Sequence, residues 1–160
     1  MKPPELNTRK QMLVASNRRA EHDYIILQRI EVGIVLAGTE VKALRERKAN
    51  IADSYATFPN QNDNEFLLLN MHISPYSHGN RENQPPLRPR RLLVNAREAV
   101  RLRTQVQEKG NTLIPLSVYF SGPFVKIEIG VARAKKKYDK RETNKERESD
   151  REIQRKFTYR

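Results

Sequence analysis

The sequence predicts a mainly β protein: a small antiparallel barrel with two or three helices and a disordered basic C-terminal tail. Three observations support this fold class. Short segments rich in β-branched residues recur along the chain, without the regular strand–helix alternation of a parallel sheet. Only two internal segments carry a helical pattern of apolar residues. The final segment is dominated by charged residues and cannot bury enough apolar surface to fold alone.

The first part of the chain is predicted to contain two strand regions and one helix. Residues 1–11 are polar and are expected to fray. Tyr24 to Leu36 is rich in β-branched residues and predicts one or two strands that bend near Gly33. A short helix is expected from about Glu40 to Lys48, because apolar side chains recur there at helical spacing. Tyr55 to Phe58 predicts a further strand.

The middle of the chain is predicted to contain a strand, a long loop and a second helix. Phe66 to Ile73 has the composition of a strand. Ser74 to Arg91 is rich in Pro, Asn and Arg, and loops of this length are usually functional or disordered. Asn95 suits a helix N-cap, with Glu98 three residues later, and Gly110 supplies the stop.

The clearest strand pattern comes last. Leu113 to Ser121 and Phe124 to Val131 form a predicted hairpin around Gly122-Pro123, with strict alternation of apolar and other residues in the second strand. The total is five to seven strands with two internal helices. This combination predicts a barrel of the oligonucleotide-binding type.

The charge distribution divides the chain into two parts. The 160 residues carry a net charge of +12. Val131 to Arg160 holds 12 Lys and Arg against 6 Asp and Glu, which is half of the excess. We therefore expect a barrel domain at 1–132 and a tail at 133–160, disordered when free and helical on its partner. The positive charge indicates a polyanionic partner, nucleic acid rather than an anionic membrane surface.

Several functional classes are excluded by composition. The absence of Cys excludes zinc fingers and thiol catalysis, and the three histidines share no metal-like spacing with carboxylates. No nucleophile motif or glycine-rich phosphate loop is present. Neither cofactor nor metal is expected, and the sequence predicts a binding protein and not an enzyme. No apolar run reaches membrane-spanning length and the start resembles no signal peptide, so a cytoplasmic location is expected.

The segment before the first strand region is a candidate RNA contact. Arg18 and Arg19 would contact phosphates, Asn17 a base edge, and His22 or Tyr24 would stack on a base. The alternative is a solvated lead-in in which Tyr24 is the first core residue.

Two further basic groups are candidates. Lys42 and Arg45 lie on one face of the first predicted helix, where they either contact an RNA backbone or belong to an ordinary amphipathic surface helix. Arg88-Pro89-Arg90-Arg91 is a dense cation cluster in the long loop. The sequence favours neither contact with an anion nor an ordinary solvated loop at this cluster.

The tail carries the signals of a helix that needs a partner. Thr143 to Glu146 fits a capping box, so that a helix begins at about Asn144. Like-charge pairs at i,i+4, such as Glu142/Glu146 and Arg151/Arg155, oppose the few favourable pairs. The helix is therefore expected to order only on binding.

Several segments together resemble one family. They are Asn17 to Tyr24, Gly38 to Arg45, Lys48 to Tyr55, Arg91 to Asn95 and Gly130 to Arg141, within about residues 12 to 145. In this order they resemble the small protein B family, the transfer-messenger RNA-binding proteins of bacterial trans-translation. Lys-Ala-Asn-Ile-x-Asp-Ser-Tyr and the Asp-Lys-Arg after a lysine run are the most specific motifs.

The resemblance implies a fold and a function. The fold is an oligonucleotide-binding-type barrel that holds the transfer-RNA-like end of transfer-messenger RNA and delivers it to ribosomes stalled on broken messages. The tail would occupy the empty messenger path as a helix, which permits tagging of the nascent peptide and rescue of the ribosome. The implied partners are transfer-messenger RNA, the decoding region of the small ribosomal subunit and elongation factor Tu through the charged RNA. No membrane partner is implied, and the protein would be a monomer in the complex.

The resemblance also implies site residues. Asn17, Glu31 and Leu93 match positions associated with RNA binding, and His22 would lie near the decoding region. Glu31 would either accept a hydrogen bond from a base amino group or hold a basic neighbour in place. Leu93 would either face an unstacked base or serve as core beneath the loop, and the core role is preferred. The tail residues expected to contact the ribosome are Lys135, Lys136, Lys137, Tyr138, Asp139, Lys140, Arg141 and Ile153.

Two positions depart from the family pattern. Ala134 stands where the family often has Gly, which would stiffen the hinge before the tail. Arg47 stands where the family usually has Gly, and it would either add a phosphate contact or cover the surface. The alternative functions are an intrinsic ribosomal protein, which would stay on washed ribosomes without transfer-messenger RNA, and an RNA-modifying enzyme, for which no candidate nucleophile is present.

Overall fold

A computed structural model describes residues 11–60, 62–79, 82–108 and 110–158, and within them it contains nine strands and four helices. The strands are β1 Gln11–Ser16, β2 Tyr24–Ile34, β3 Ala49–Asn50, β4 Tyr55–Thr57, β5 Leu67–Leu69, β6 His72–Ile73, β7 Arg90–Leu93, β8 Asn111–Ser121 and β9 Phe124–Ala134. The helices are α1 Ala20–Asp23, α2 Gly38–Arg45, α3 Ala96–Gln107 and α4 Lys137–Thr158.

Six strands close into an antiparallel ring. The neighbours in the ring are β8, β4, β5, β7, β2 and β9, and β9 pairs back with β8 along the full hairpin. The hairpin turns at Gly122, whose φ of 60° suits a residue without a Cβ atom. The pair Ala56 and Leu113 joins β4 to β8 and completes the ring. The predicted mainly β, antiparallel barrel is thus confirmed.

One edge of β8 is shared by two partners. Strand β1 pairs with the C-terminal half of β8, from Gln11 opposite Ser121 to Ser16 opposite Ser117, while β4 pairs nearer its start. A bulge in β8 between Pro115 and Ser117 separates the two stretches, as expected where a proline removes a ladder donor. The backbone at this gap is therefore available to other groups.

The barrel interior holds the main apolar core. It is formed by alternating strand residues and by the apolar faces of α2 and α3, and its fully buried members include Leu44, Phe66, Leu68, Leu102, Leu113, Ile127 and Ile129. Helix α3 begins at the predicted N-cap, since the Asn95 side chain accepts a hydrogen bond of 2.9 Å from the Glu98 backbone N–H. A smaller cluster of Ala20, Ile114, Leu116 and Ala132 lies under α1.

Several element boundaries differ from those predicted. Residues 11–16 form β1 where fraying was expected at residue 11, and the predicted strand from Phe66 to Ile73 divides into β5 and β6. The division occurs at Asn70, whose φ of 61° turns the chain. Strand β9 continues to Ala134, two residues beyond the predicted end of the domain. Helix α4 begins at Lys137, seven residues before the predicted start.

The long loop is held by a buried ion cluster. The Arg90 side chain is fully buried, and its Nε donates to Oε2 of Glu40 at 2.6 Å. Arg90 also donates to the carbonyl oxygens of Met71 at 2.6 Å and Pro86 at 3.0 Å, and Arg88 pairs with Oε1 of Glu40. Helix α2, the β5–β6 connection and the loop before β7 are thereby joined through the Glu40 carboxylate and the Arg90 guanidinium.

Candidate nucleic-acid interface

Asn17 lies where β8 leaves its backbone open. Its backbone N–H donates to the Leu116 carbonyl at 2.8 Å, and its Nδ2 donates to the Pro115 carbonyl at 3.3 Å. Both acceptors belong to the β8 bulge, so Asn17 fills the gap between β1 and β4. Its side-chain oxygen has no hydrogen-bond partner among the described residues and stays available as an acceptor.

The basic residues near Asn17 divide between two clefts. Arg19 shares a cleft with Asn17, together with Tyr24, Tyr55 and Thr112. Arg18 instead lines a second cleft, beside β1, with Arg45. The predicted lead-in segment therefore contributes to two surfaces.

Tyr24 is placed so that both roles left open by the sequence are compatible with its position. Its side chain is partly buried against the small cluster of Ala20, Ile114, Leu116 and Ala132, so it does begin the core. The same residue lines the Asn17 cleft, where its exposed part can meet a base.

His22 faces the tail in this structure. Its Nδ1 lies 2.9 Å from Oδ1 of Asp23, and its Nε2 lies 2.7 Å from Oδ1 of Asn144 in α4. The hydrogen bond from His22 and the charge of Lys140, 3.6 Å from Asp23, together lower the pKa of that carboxyl against its partial burial. The expectation that His22 lies near the decoding region remains a prediction.

Glu31 is held by a tyrosine. The Tyr119 hydroxyl donates to Oε2 of Glu31, across neighbouring parts of the barrel wall. Burial and the Glu31 hydrogen bond raise the pKa of Tyr119, so the hydroxyl remains a donor. The nearby Arg29 pairs with Glu21 and Glu128 at 2.8 and 2.9 Å. Among the described residues no basic side chain pairs with Glu31, and its acceptance of a hydrogen bond from a base amino group remains a prediction.

Leu93 is not a core residue. Its side chain is 51% exposed, whereas the adjacent Leu92 is 3% exposed and belongs to the core. Leu93 lies against Gly33, where a Cβ atom would come within 3.3 Å of the Leu93 Cβ. With Phe124, 60% exposed, it lines an apolar cleft, so the preferred core role was wrong and the base-facing role is the one that remains.

The cations of α2 are exposed, as a contact face requires. Lys42 lies over the Tyr76 ring, with Nζ 5.5 Å from the ring centroid. Arg45 lines the cleft beside β1. By contrast, Arg88 and Arg90 are engaged by Glu40 in the ion cluster, which leaves Arg91 as the exposed member of the predicted loop cluster.

The start of the tail contacts α1. The Lys135 backbone N–H donates to the Asp23 carbonyl at 2.9 Å, while its Nζ donates to the Glu21 carbonyl at 2.8 Å and to Thr143 Oγ1 at 2.9 Å. Lys136, Arg141 and Ile153 are exposed. The side chains of Lys137, Tyr138 and Asp139 lie outside the described residues, so the ribosomal contacts expected of them remain predictions.

Tyr119 and the β8 bulge were missed by the sequence analysis. Tyr119 is 88 residues from Glu31, and no local pattern marks it as the partner of that carboxylate. Among the described residues, no group of three His, Asp or Glu side chains is placed to hold a metal ion. No helix in the described part of the chain has the length and apolar character needed to cross a membrane.

Comparisons with known proteins extend these observations. The model of the family described as SmpB protein matches residues 14–159. The SsrA-binding protein of Carboxydothermus hydrogenoformans is 51% identical over 142 residues, which cover 89% of this chain and 93% of the relative. That of Geobacillus kaustophilus is 49% identical over 148 residues, covering 92% and 94%.

A solved structure is also similar. It is described as "tmRNA-SmpB: a journey to the center of the bacterial ribosome", and its matching chain has a TM-score of 0.64 and 43% identity. The match covers 80% of this chain and 92% of that one. A closed antiparallel barrel with exposed cations around its clefts and a basic C-terminal helix defines an RNA-binding protein of the oligonucleotide-binding type. Within that class, the chain belongs to the SmpB family.

Proposed function

We propose that this chain is the RNA-binding adaptor of trans-translation. It binds the transfer-RNA-like domain of transfer-messenger RNA, delivers it to stalled ribosomes and enables tagging of the nascent peptide. The observation that carries this function is the family match over residues 14–159, because it includes the barrel and the tail together. Consistent with a binding role, the chain acts without catalysis of its own.

The barrel is the part that holds the RNA. Asn17 presents a free side-chain oxygen at the β8 bulge, and Arg19 and Tyr24 share its cleft. Lys42 and Arg45 are exposed on α2, where phosphates can reach them. Leu93 offers an apolar surface of the kind on which an unstacked base rests.

The tail is the part that enters the messenger path. Only Lys135 and Lys136 separate β9 from α4, so that the tail leaves the barrel at a defined point. Lys136, Lys140 and Arg141 would contact ribosomal RNA phosphates, and Ile153 would pack on the ribosome from an exposed helix face. We also propose a cytoplasmic location, a monomer in the complex and contact with elongation factor Tu through the charged RNA.

Truncation separates the two parts. A chain ending at Ala134 keeps all of β9, whose last residue pairs with Tyr24. This variant should bind transfer-messenger RNA like the full chain but abolish tagging of stalled peptides. Replacing Asp139, Lys140 and Arg141 with Ala should have nearly the same effect. Loss of RNA binding in the truncated chain, or unimpaired tagging, would contradict the assignment of these functions to barrel and tail.

A pull-down tests the RNA partner itself. The tagged full chain should recover transfer-messenger RNA from lysate in preference to bulk transfer RNA at two salt concentrations, although overall recovery falls with salt. Equal recovery of any RNA would show that the barrel binds RNA nonspecifically through its positive charge.

A further inference from the structure

Arg47 has an unusual backbone conformation for its residue type. Its φ is 58°, in the left-handed region that is costly for a residue with a Cβ atom. Among the described residues, Asn70 is the other residue besides Gly with positive φ, and Asn tolerates this region much better. A residue kept in such a conformation often has a functional reason to be there.

The conformation follows from the way α2 ends. The Arg47 N–H donates to the Leu44 carbonyl at 2.9 Å, and the Lys48 N–H donates to the Ala43 carbonyl at 3.1 Å. These two bonds make a Schellman motif with Arg47 at the C′ position. Gly is the preferred residue there, because the motif needs positive φ. The helix end would therefore form at lower cost with Gly than with Arg.

The Arg47 side chain lies in a basic cleft. The cleft has a volume of about 870 Å³, and strand β1 forms one of its sides. The cations that line it are Arg18, Arg45 and Arg47. No acidic residue is among the described residues that line it. Met12 and Leu13, whose apolar side chains are exposed, line the same cleft as the three arginines.

The three arginines have no charge partner among the described residues. Arg18, Arg45 and Arg47 are exposed and form no ion pair with a described acidic side chain, whereas Arg29 and Arg90 do. Three guanidinium groups around one cleft repel each other until an anion binds. Their planar forks match the oxygen atoms of a phosphate, and the cleft size suits a nucleotide unit.

We propose that Arg18, Arg45 and Arg47 form a phosphate-binding site for the RNA backbone in the cleft beside β1. Arg47 completes this site at the expense of the more stable helix end that Gly would give. The site deepens the proposed function and rests on it, since the phosphates belong to transfer-messenger RNA. Arg18 and Arg45 come from segments already expected to contact RNA, and Arg47 adds the third contact.

The test is Arg47→Gly in the full chain, measured in two ways. The melting temperature should rise by a few degrees, because Gly adopts the left-handed conformation without strain. The affinity for transfer-messenger RNA should fall by about tenfold near physiological salt, as expected for one charge-assisted contact. The slope of log affinity against log salt should decrease by about one contact.

Two control variants complete the design. Arg47→Lys keeps the charge and the strained backbone, so it should retain the salt slope and lose less affinity than Arg47→Gly. Arg101→Ala removes one exposed charge on α3, outside the cleft, and should leave both quantities close to wild type.

Two results would overturn the site. One is wild-type affinity and salt slope in Arg47→Gly, and the other is an equal loss in Arg101→Ala. A wild-type chain that shows no preference for transfer-messenger RNA would instead contradict the proposed function, and the site with it. The wild-type competition measurement therefore distinguishes failure of the function from failure of the site alone.

Discussion

His22 in α1 and Asn144 in α4 are in direct contact, with Nε2 and Oδ1 2.7 Å apart, although 122 residues separate them in the chain. Together with Lys135 and with Lys140 beside Asp23, this contact fixes the first turns of α4 on the barrel. The side chains from Lys145 to Lys156 are all exposed. The tail therefore divides into a docked start and an exposed remainder.

Hydrogen exchange should reveal this division in the free protein. Amides from about 140 to 145 should exchange slowly, because they donate within a part of α4 that the contacts of His22 and Lys135 stabilise. Amides after about 148 should exchange as in a disordered chain, since like-charge pairs oppose an isolated helix. Asn144→Ala should accelerate exchange in the first part alone. Uniform protection along α4 would contradict the predicted disorder of the free tail, and uniform fast exchange would contradict the docking.

Glu40 should be the most sensitive charge in the barrel. It is 4% exposed and pairs with Arg88 and Arg90, so Glu40→Gln leaves the buried Arg90 without its counter-ion. We expect a loss of about 3–5 kcal/mol in the free energy of unfolding. Chemical denaturation measures it, and Glu98→Gln on the surface of α3 is a control that should cost far less. A loss equal to that of the control would show that the cluster contributes little.

The same carboxylate predicts an acid-sensitive barrel. Burial opposes ionisation of Glu40, but hydrogen bonds from Arg88, the Ala37 N–H and Arg90 outweigh it and lower its pKa. Because the folded-state pKa lies below the unfolded one, this stabilisation is complete above the ordinary Glu pKa and is lost as the pH falls through the lowered value. Unfolding measured between neutral and acidic pH should lose this component in Glu40→Gln. An acid limb identical to that of the wild type would contradict the assignment.

Tyr119 and Glu31 should act as a unit in RNA binding. Tyr119→Phe removes the hydrogen bond that orients the carboxylate, at a stability cost of about 1 kcal/mol. If RNA binding needs that orientation, affinity should fall in Tyr119→Phe and Glu31→Ala, and the double variant should lose less than the sum. Affinities of the four proteins for transfer-messenger RNA give the coupling. Strict additivity would mean that Tyr119 does not position Glu31 for the RNA.

Leu93 and Leu92 are adjacent on β7, but Leu93 is exposed and Leu92 is buried. Leu93→Ala should reduce RNA affinity and cost little stability, because the side chain is half exposed. Leu92→Ala should cost about 2–5 kcal/mol, because it leaves a cavity in the core. Thermal melting and RNA binding of both variants test the assignment. Strong destabilisation by Leu93→Ala together with normal RNA binding would restore the core role.

The sequence predicted the elements whose signals are local. The β8–β9 hairpin was predictable because alternating residues flank a two-residue turn, and the Asn95 cap because its side chain and the Glu98 N–H that donates to it lie three residues apart. Strand β1 was missed, since its short segment becomes a strand only through pairing with β8. Closure of the barrel depends on Ala56 and Leu113, and no local pattern encodes their pairing.

The candidate site was predictable as a set of residues but not as an arrangement. The resemblance supplied Asn17, Glu31 and Leu93, and the structure places them in three separate clefts. Arg90 and Arg91 are neighbours of the same type, yet one is buried and the other exposed, because the position of Glu40 decides which is paired. Such assignments need the tertiary structure.

The short connection between β9 and α4 fixes the point at which the tail leaves the barrel, so folding of the tail as a helix would shorten it from that point. As a helix, the part of α4 after Asn144, residues 145–158, spans about 21 Å, whereas the same residues fully extended would span about 46 Å. Since the start of α4 is docked on the barrel through His22 and Lys135, folding of this part would draw the far end of the tail inward by about 25 Å. A tail held at its tip by the ribosome would therefore pull the barrel and its RNA cargo toward that point as it folds.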